Sequence, residues 1–217
     1  MRIGLFGGSF DPVHVGHLWI AEAALETLSL DHVRWIPTAT SPLKLAGAVA
    51  SSEDRVEMLK LALADNPYYE LDEREIARGE ISYTVDTVAE LIQEMPEAQF
   101  FMIIGSDSLA SLPLWHQPQR LLELITPAVV QRGGEAAIDF SVLQGLVDQD
   151  RIDDIASRVI AMPIIELSSS ELRQRVQQGR SIRYRTPRGV EALIQQRGLY
   201  RSDPWTAGAP KNARAID

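Results

Sequence analysis

The stretch Gly7-Gly8-Ser9-Phe10-Asp11-Pro12-Val13-His14-Val15-Gly16-His17 collects residues that pack a core poorly and serve a charged ligand well. Glycine lets backbone approach a ligand where a Cβ would collide. A helix N-terminus offers unpaired N–H groups and the positive end of a dipole to a phosphate. His14 and His17, three residues apart, bring imidazole to the same place. This is not the dinucleotide fingerprint, because Gly4, Gly7 and Gly8 do not give G-x-G-x-x-G, and no G-K-[ST] follows to make a Walker loop. Metal ligation by the two histidines lacks a third ligand: there is no cysteine and no HExxH, and His32 and His116 sit in unrelated contexts. Phosphate is the ligand this pattern favours. Asp11, before Pro12, also suits a plain turn.

The flanking elements must carry that loop. Residues 2–6 form a short apolar run, and residues 16–28 have the Ala, Leu and Glu content of a helix. Further strands are expected at 32–37, 68–73, 98–105, 126–132 and 157–165. Helices are expected from Ser51 to about Ala64, from Ser82 or Thr84 to Met95, at 168–179 with a serine cap and Gly179 as its stop, and at 187–200. Strands that alternate with helices predict a doubly wound α/β fold with a mostly parallel, Rossmann-like sheet, helices on both faces and a small helical C-terminal part. In such sheets ligands sit at the carboxyl ends of the strands, where residues 7–17 fall.

Composition sets the outer bounds. The chain has 217 residues, 45% of them hydrophobic, enough for one large core. A net charge of −9 argues against bulk binding to nucleic acid or an anionic membrane. Without cysteine there is no disulfide, thiolate metal site or cysteine nucleophile. The first ten residues lack a signal peptide's apolar stretch and no run of 18 apolar residues occurs, so a cytoplasmic protein is expected. Residues 1–200 read as one domain and 201–217 as a flexible tail. Residues 173–188 hold six arginines and no acid, suited either to focusing a triphosphate or to a solvated helix face.

Two motifs make the expectation specific. GGSFDPVHVGH resembles the (H/T)xGH signature of the nucleotidyltransferase superfamily, and Ser168-Ser169-Ser170-Glu171-Leu172-Arg173 resembles its ISSTxxR motif. With ISYTVDTVAEL at 81–91, IGSDSLASLPLW at 104–115, VVQRGG at 129–134 and RGLY at 197–200, the chain resembles bacterial nicotinate-nucleotide adenylyltransferases. The resemblance implies adenylyl transfer from ATP to nicotinate mononucleotide, with nicotinamide mononucleotide or phosphopantetheine as alternative acceptors. It implies His14, His17 and Arg173 as the catalytic groups. It implies ATP contacts from Gly7, Gly8, Ser9, Phe10, Gly16, Gly105, Asp107, Ser169 and Ser170, the Gly105–Asp107 pair at the ribose. Lys44, Thr84, Trp115 and Arg132 fall at the mononucleotide. Leu43 replaces the histidine of the family's Pro-His-Lys, which loosens the assignment of Lys44. Taken alone, Ser168 suits a plain N-cap, Thr84 a helix cap, Trp115 core packing and Arg132 a strand end. Mg²⁺ is expected, carried on ATP oxygens. A homo-oligomer is compatible with the sequence.

Overall fold

The computed structural model describes residues 1–39, 47–79, 81–134 and 136–201. Lys44 and residues 202–217 lie outside the described residues. Six strands carry the fold: β1 (Arg2–Gly8), β2 (His32–Pro37), β3 (Tyr69–Leu71), β4 (Gln99–Gly105), β5 (Thr126–Arg132) and β6 (Ile160–Met162). Between and after them run α1 (Val15–Leu28), α2 (Ser52–Leu63), α3 (Arg74–Arg78), α4 (Thr84–Glu94), α5 (Ser106–Ser111), α6 (Pro118–Leu124), α7 (Gln149–Ala156), α8 (Ser169–Gln177) and α9 (Arg188–Arg197).

The strands form one sheet in the order β3-β2-β1-β4-β5-β6, and every pairing is parallel. Strand order reverses between β1 and β4, which leaves a crevice beyond their carboxyl ends. Side chains alternate across the sheet. Ile3, Leu5, Phe100, Met102 and Ile104 face a core completed by α4, α5, α6 and α7. Phe6, Val33, Trp35, Phe101 and Ile103 face a second core completed by α1, α2, α8 and α9. Gly4 lies on that second side, where a Cβ would press Leu30 Cδ1 at 2.8 Å and Ile103 Cδ1 at 2.9 Å. No described helix is long and apolar enough to cross a membrane.

The doubly wound α/β expectation holds, and the sheet is parallel throughout its described strands. The strand expected over 157–165 is only Ile160–Met162, because Pro163 has no N–H for the ladder. The β3 strand is also shorter than 68–73. Helices α3, α5 and α6 are too short, at five to seven residues, to show a hydrophobic period, whereas the eight-residue α7 buries Ile152 and Ile155 on one face.

Candidate active site at the switch point

The loop after β1 is shaped from both sides. Phe10 has φ +46°, a left-handed conformation that costs a non-glycine residue about 1–2 kcal/mol. Its ring is almost fully buried, packed edge-on to Phe6 and tilted against Trp35, which holds it there. Gly8 makes room for this ring: a Cβ would lie 3.2 Å from Phe10 Cζ. Gly16 does the same for His14, whose ring would meet a Cβ at 3.1 Å. Gly7 is different, since a Cβ there would point into open space.

The C-terminal part clamps this loop through its carbonyls. Arg173 Nη1 donates to Asp11 O at 2.7 Å, Ser169 Oγ to Pro12 O at 2.8 Å, and Thr186 Oγ1 to Val13 O at 2.7 Å. His14 O accepts from His17 N at 2.9 Å, and Val15 N donates to Arg185 O at 3.0 Å. Four consecutive carbonyls are thereby occupied, and their partial negative charges are spent away from any anion. Asp11 works as a knot rather than only a turn former. Its carboxylate is buried and accepts from Val49 N, Ala50 N and Tyr200 Oη, with Arg173 Nη1 3.8 Å away. Buried Arg55 holds the Ser9 carbonyl at 2.8 Å.

The two imidazoles stack, with ring centroids 3.6 Å apart and 23° between planes. His14 N, the N-cap amide of α1, donates to His17 Nδ1 at 3.2 Å. A neutral His17 must then carry its proton on Nε2, so it meets a ligand as a donor. His14 is buried, and that burial, helped by the charge of Arg132, pushes its pKa down to about 4. It is therefore neutral at pH 7. Its Nδ1 is buried and has no hydrogen-bond partner among the described residues.

That burial has a measurable consequence. Between pH 6.5 and about 4 the unfolded chain binds a proton on His14 that the folded chain does not, so stability falls on acidification. The full loss is about 3 kcal/mol. Urea unfolding at pH 7 and pH 4.5 should show a smaller pH effect in His14→Asn than in the parent. Equal effects in the two proteins would place the proton elsewhere.

Two cavities meet at this loop. One, of about 420 Å³, is lined by His14, Gly16, His17, Ser168, Ser169, Ser170 and Arg173. The other, of about 890 Å³, is lined by Gly7, Thr84, Gly105, Asp107, Trp115 and His116. Gly8, Ser9, Phe10, His17 and Arg132 line both, so the two are halves of one crevice. The structure thus brings together every expected site residue except Lys44, which is not among the described residues. Of the six arginines in 173–188, only Arg173 lines these cavities. Arg175 and Arg185 pair with Glu171, and Arg183 with Glu191.

Local roles sharpen the picture. Ser168 is the N-cap of α8 and accepts from Glu171 N at 3.1 Å. Ser169 has already given its hydroxyl hydrogen to Pro12 O. Ser170 Oγ accepts from Arg173 Nη2 at 3.2 Å and keeps its own hydrogen to donate. Thr84 is the first residue of α4, after Tyr83 as N-cap. The Trp115 indole donates to Ser111 Oγ at 3.3 Å and packs partly on the core, yet still lines the larger cavity. Asp11 as a knot, Arg55, Thr186 and Tyr200 were not picked out from sequence. RGLY was visible as a motif, but nothing in its residue types points back to residue 11.

A cytidylyltransferase-like family model matches residues 5–175. Over 199 residues the chain is 49% identical to a Rhodopirellula baltica protein named "Probable nicotinate-nucleotide adenylyltransferase", covering 92% of this chain and 93% of that one. A Roseiflexus castenholzii protein of the same name is 45% identical over 202 residues, covering 92% and 98%. The chain belongs to the nicotinate-nucleotide adenylyltransferase family. The fold agrees: Plasmodium falciparum nicotinic acid mononucleotide adenylyltransferase, complexed with NaAD, superposes with a TM-score of 0.71 at 16% identity, covering 92% of this chain and 97% of that one.

Proposed function

We propose that this chain transfers the adenylyl group of ATP to nicotinate mononucleotide. The carrying observation is the single crevice in which His14, His17, Ser170 and Arg173 converge at one end and Thr84 and Trp115 at the other. A phosphate oxygen of the mononucleotide attacks the α-phosphorus of ATP. One P–O bond forms, the bond to the β-phosphate oxygen breaks, and pyrophosphate leaves in line, with no covalent enzyme intermediate. The nucleophile is a phosphate monoester with a second pKa of about 6, ionised at neutral pH, so no general base is needed. The protein supplies positioning and charge neutralisation.

In this reading His17 Nε2–H donates to the α-phosphate as charge builds, and His14 hydrogen-bonds as a neutral ring. Arg173, Ser170 and the first N–H groups of α8 hold the β- and γ-phosphates. Gly7, Gly8, Ser9, Phe10 and Gly16 shape the backbone around the nucleotide. Gly105 and Asp107, at the end of β4, take the ribose. Thr84, Trp115 and Arg132 take the mononucleotide, Trp115 by stacking on the pyridine ring. The donors at the phosphate end are imidazole, hydroxyl, guanidinium and backbone N–H rather than carboxylates. They fit a Mg²⁺ ion whose ligands are phosphate oxygens and water, and which enters with ATP. The reaction takes place in the cytoplasm.

Pyrophosphate release with ATP and each acceptor in turn tests the reading. Turnover of nicotinate mononucleotide well above the nicotinamide form and phosphopantetheine is expected; a preference for phosphopantetheine would overturn it. Trp115→Ala should raise KM for the mononucleotide by roughly 5- to 150-fold, the range expected for loss of one stacked ring, and leave KM for ATP nearly unchanged. Equal effects on both substrates would exclude stacking.

A further inference from the structure

Two residues past Gly198, the C-cap of α9, the chain holds a side chain against its backbone preference. Tyr200 has φ +61° and is 6% exposed. A left-handed conformation is costly for a residue with a Cβ, and a buried phenol must find a partner for its hydroxyl. Tyr200 Oη donates to Asp11 Oδ1 at 2.7 Å, with Met58 Sδ 4.0 Å away. Backbone strain at Tyr200 thus serves to deliver one hydroxyl to one buried carboxylate.

That carboxylate lies beside a cation it does not bond. Val49 N donates to Oδ2 at 2.7 Å and Ala50 N to Oδ1 at 3.1 Å, so with Tyr200 three donors serve a group that accepts about four. Arg173 Nη1 stands 3.8 Å from Oδ2, within ion-pair range and beyond hydrogen-bond range. The guanidinium instead donates from Nη1 to Asp11 O at 2.7 Å and from Nη2 to Ser170 Oγ at 3.2 Å, and lines the smaller cavity. Arg55 also feels the Asp11 charge, but its Nη1 donates to Ser9 O and its Nη2 to Ser52 Oγ.

We propose that Tyr200 is a positioning residue for Arg173. A bond from guanidinium to carboxylate is stronger than one to a neutral carbonyl, so Arg173 needs a reason to stay where it is. The Tyr200 hydroxyl supplies it: a neutral donor satisfies the Asp11 carboxylate, and the guanidinium remains on the Asp11 carbonyl and Ser170 with its charge directed to the cavity. Without that hydroxyl, Nη1 moves by about 1 Å onto Oδ2 as a charge-assisted bond forms, and the fork leaves its two present partners. The proposal rests on the reading of Arg173 as a phosphate ligand and names what holds that ligand in place.

The experiment is a double-mutant cycle in kcat/KM for ATP, with nicotinate mononucleotide as acceptor, over the parent, Tyr200→Phe, Arg173→Ala and the double variant. Tyr200→Phe keeps the ring and removes only the hydroxyl. It should lower kcat/KM for ATP by roughly tenfold and change KM for the mononucleotide by less than about twofold. In the Arg173→Ala background the same change should cost less than about twofold, because the group it acts through is gone. Thr186→Val, which frees Val13 O without removing a bond to Asp11 or Arg173, is the control for a purely structural tie, and its loss should multiply with that of Arg173→Ala. Tyr200→Phe within about twofold of the parent, Tyr200 and Arg173 losses that multiply, or a Thr186→Val loss that vanishes in Arg173→Ala overturns the proposal. If Tyr200→Phe does not fold, Tyr200→4-aminophenylalanine replaces it. Its amine is a weaker donor of nearly the same shape, so the loss should be about threefold and should again vanish in Arg173→Ala; no loss, or one that multiplies, overturns the proposal. An unchanged kcat/KM for ATP in Arg173→Ala itself would instead overturn the phosphate role of Arg173, and the inference with it.

Discussion

Turnover of His17→Ala should be about 10²- to 10³-fold below that of the parent, the usual loss when one preorganised donor to transition-state charge is removed. The expectation rests on how that imidazole is held. Its Nδ1 is occupied by the backbone N–H of His14, its face is stacked on the His14 ring, and the Phe10 ring meets it at 74°. Tautomer and orientation are both fixed before a ligand arrives, so the donor acts without reorganisation. KM for ATP should change much less, because the developing charge exists only in the transition state. His17→Asn, which keeps a donor on a shorter arm, should recover little. A variant within fivefold of the parent in kcat would remove His17 from the chemistry.

Arg173→Ala should be comparably damaging, through two separable effects. It removes a cation from the end of the crevice proposed for the phosphates, and it frees the carbonyl of Asp11 and the hydroxyl of Ser170. The first should raise KM for ATP and lower kcat, together reducing kcat/KM by about 10²-fold or more. The second should cost about 1.5–3 kcal/mol in urea unfolding, the range for a hydrogen bond from a charged donor. Arg173→Lys is the informative partner. A lysine ammonium is a point charge and cannot span Asp11 O and Ser170 Oγ as a guanidinium fork does. It should restore part of the ATP affinity and little of kcat. Full activity with lysine would mean that charge alone matters and the fork does not.

The kcat/KM profile for the mononucleotide should fall on acidification near pH 6, where its phosphate takes up a proton. A charged His14 is not the cause, because burial has already moved that group to about 4.

The parts legible in the sequence were those whose period or residue type is decided locally. Apolar runs such as Phe100–Ile104 could be strands buried on both faces, and the alternation of strands with helices required a parallel sheet. His14, His17 and the serines at 168–170 were legible because few packing roles demand such residues together. What escaped notice is what depends on distance along the chain. Tyr200 bonds Asp11 across 189 residues and Thr186 bonds Val13 across 173. Neither residue type carries any mark of that partner. Glycines misled in one respect: of the three at 7, 8 and 16, Gly8 and Gly16 are small first for Phe10 and His14, and Gly7 alone of these meets no described atom.

The clamps on the loop also fix an order of events during synthesis. All six strands are complete once residue 162 has left the ribosome, whereas every tie to the loop carbonyls from Asp11 to Val13 comes from residue 169 onward. A nascent chain can therefore assemble its sheet while the loop after β1 is still untied, and the bond from Tyr200 to the Asp11 carboxylate forms later than the ties from residues 169, 173 and 186. The shape of that loop is thus acquired after the sheet, in steps that follow the order of residues 169, 173, 186 and 200 along the chain.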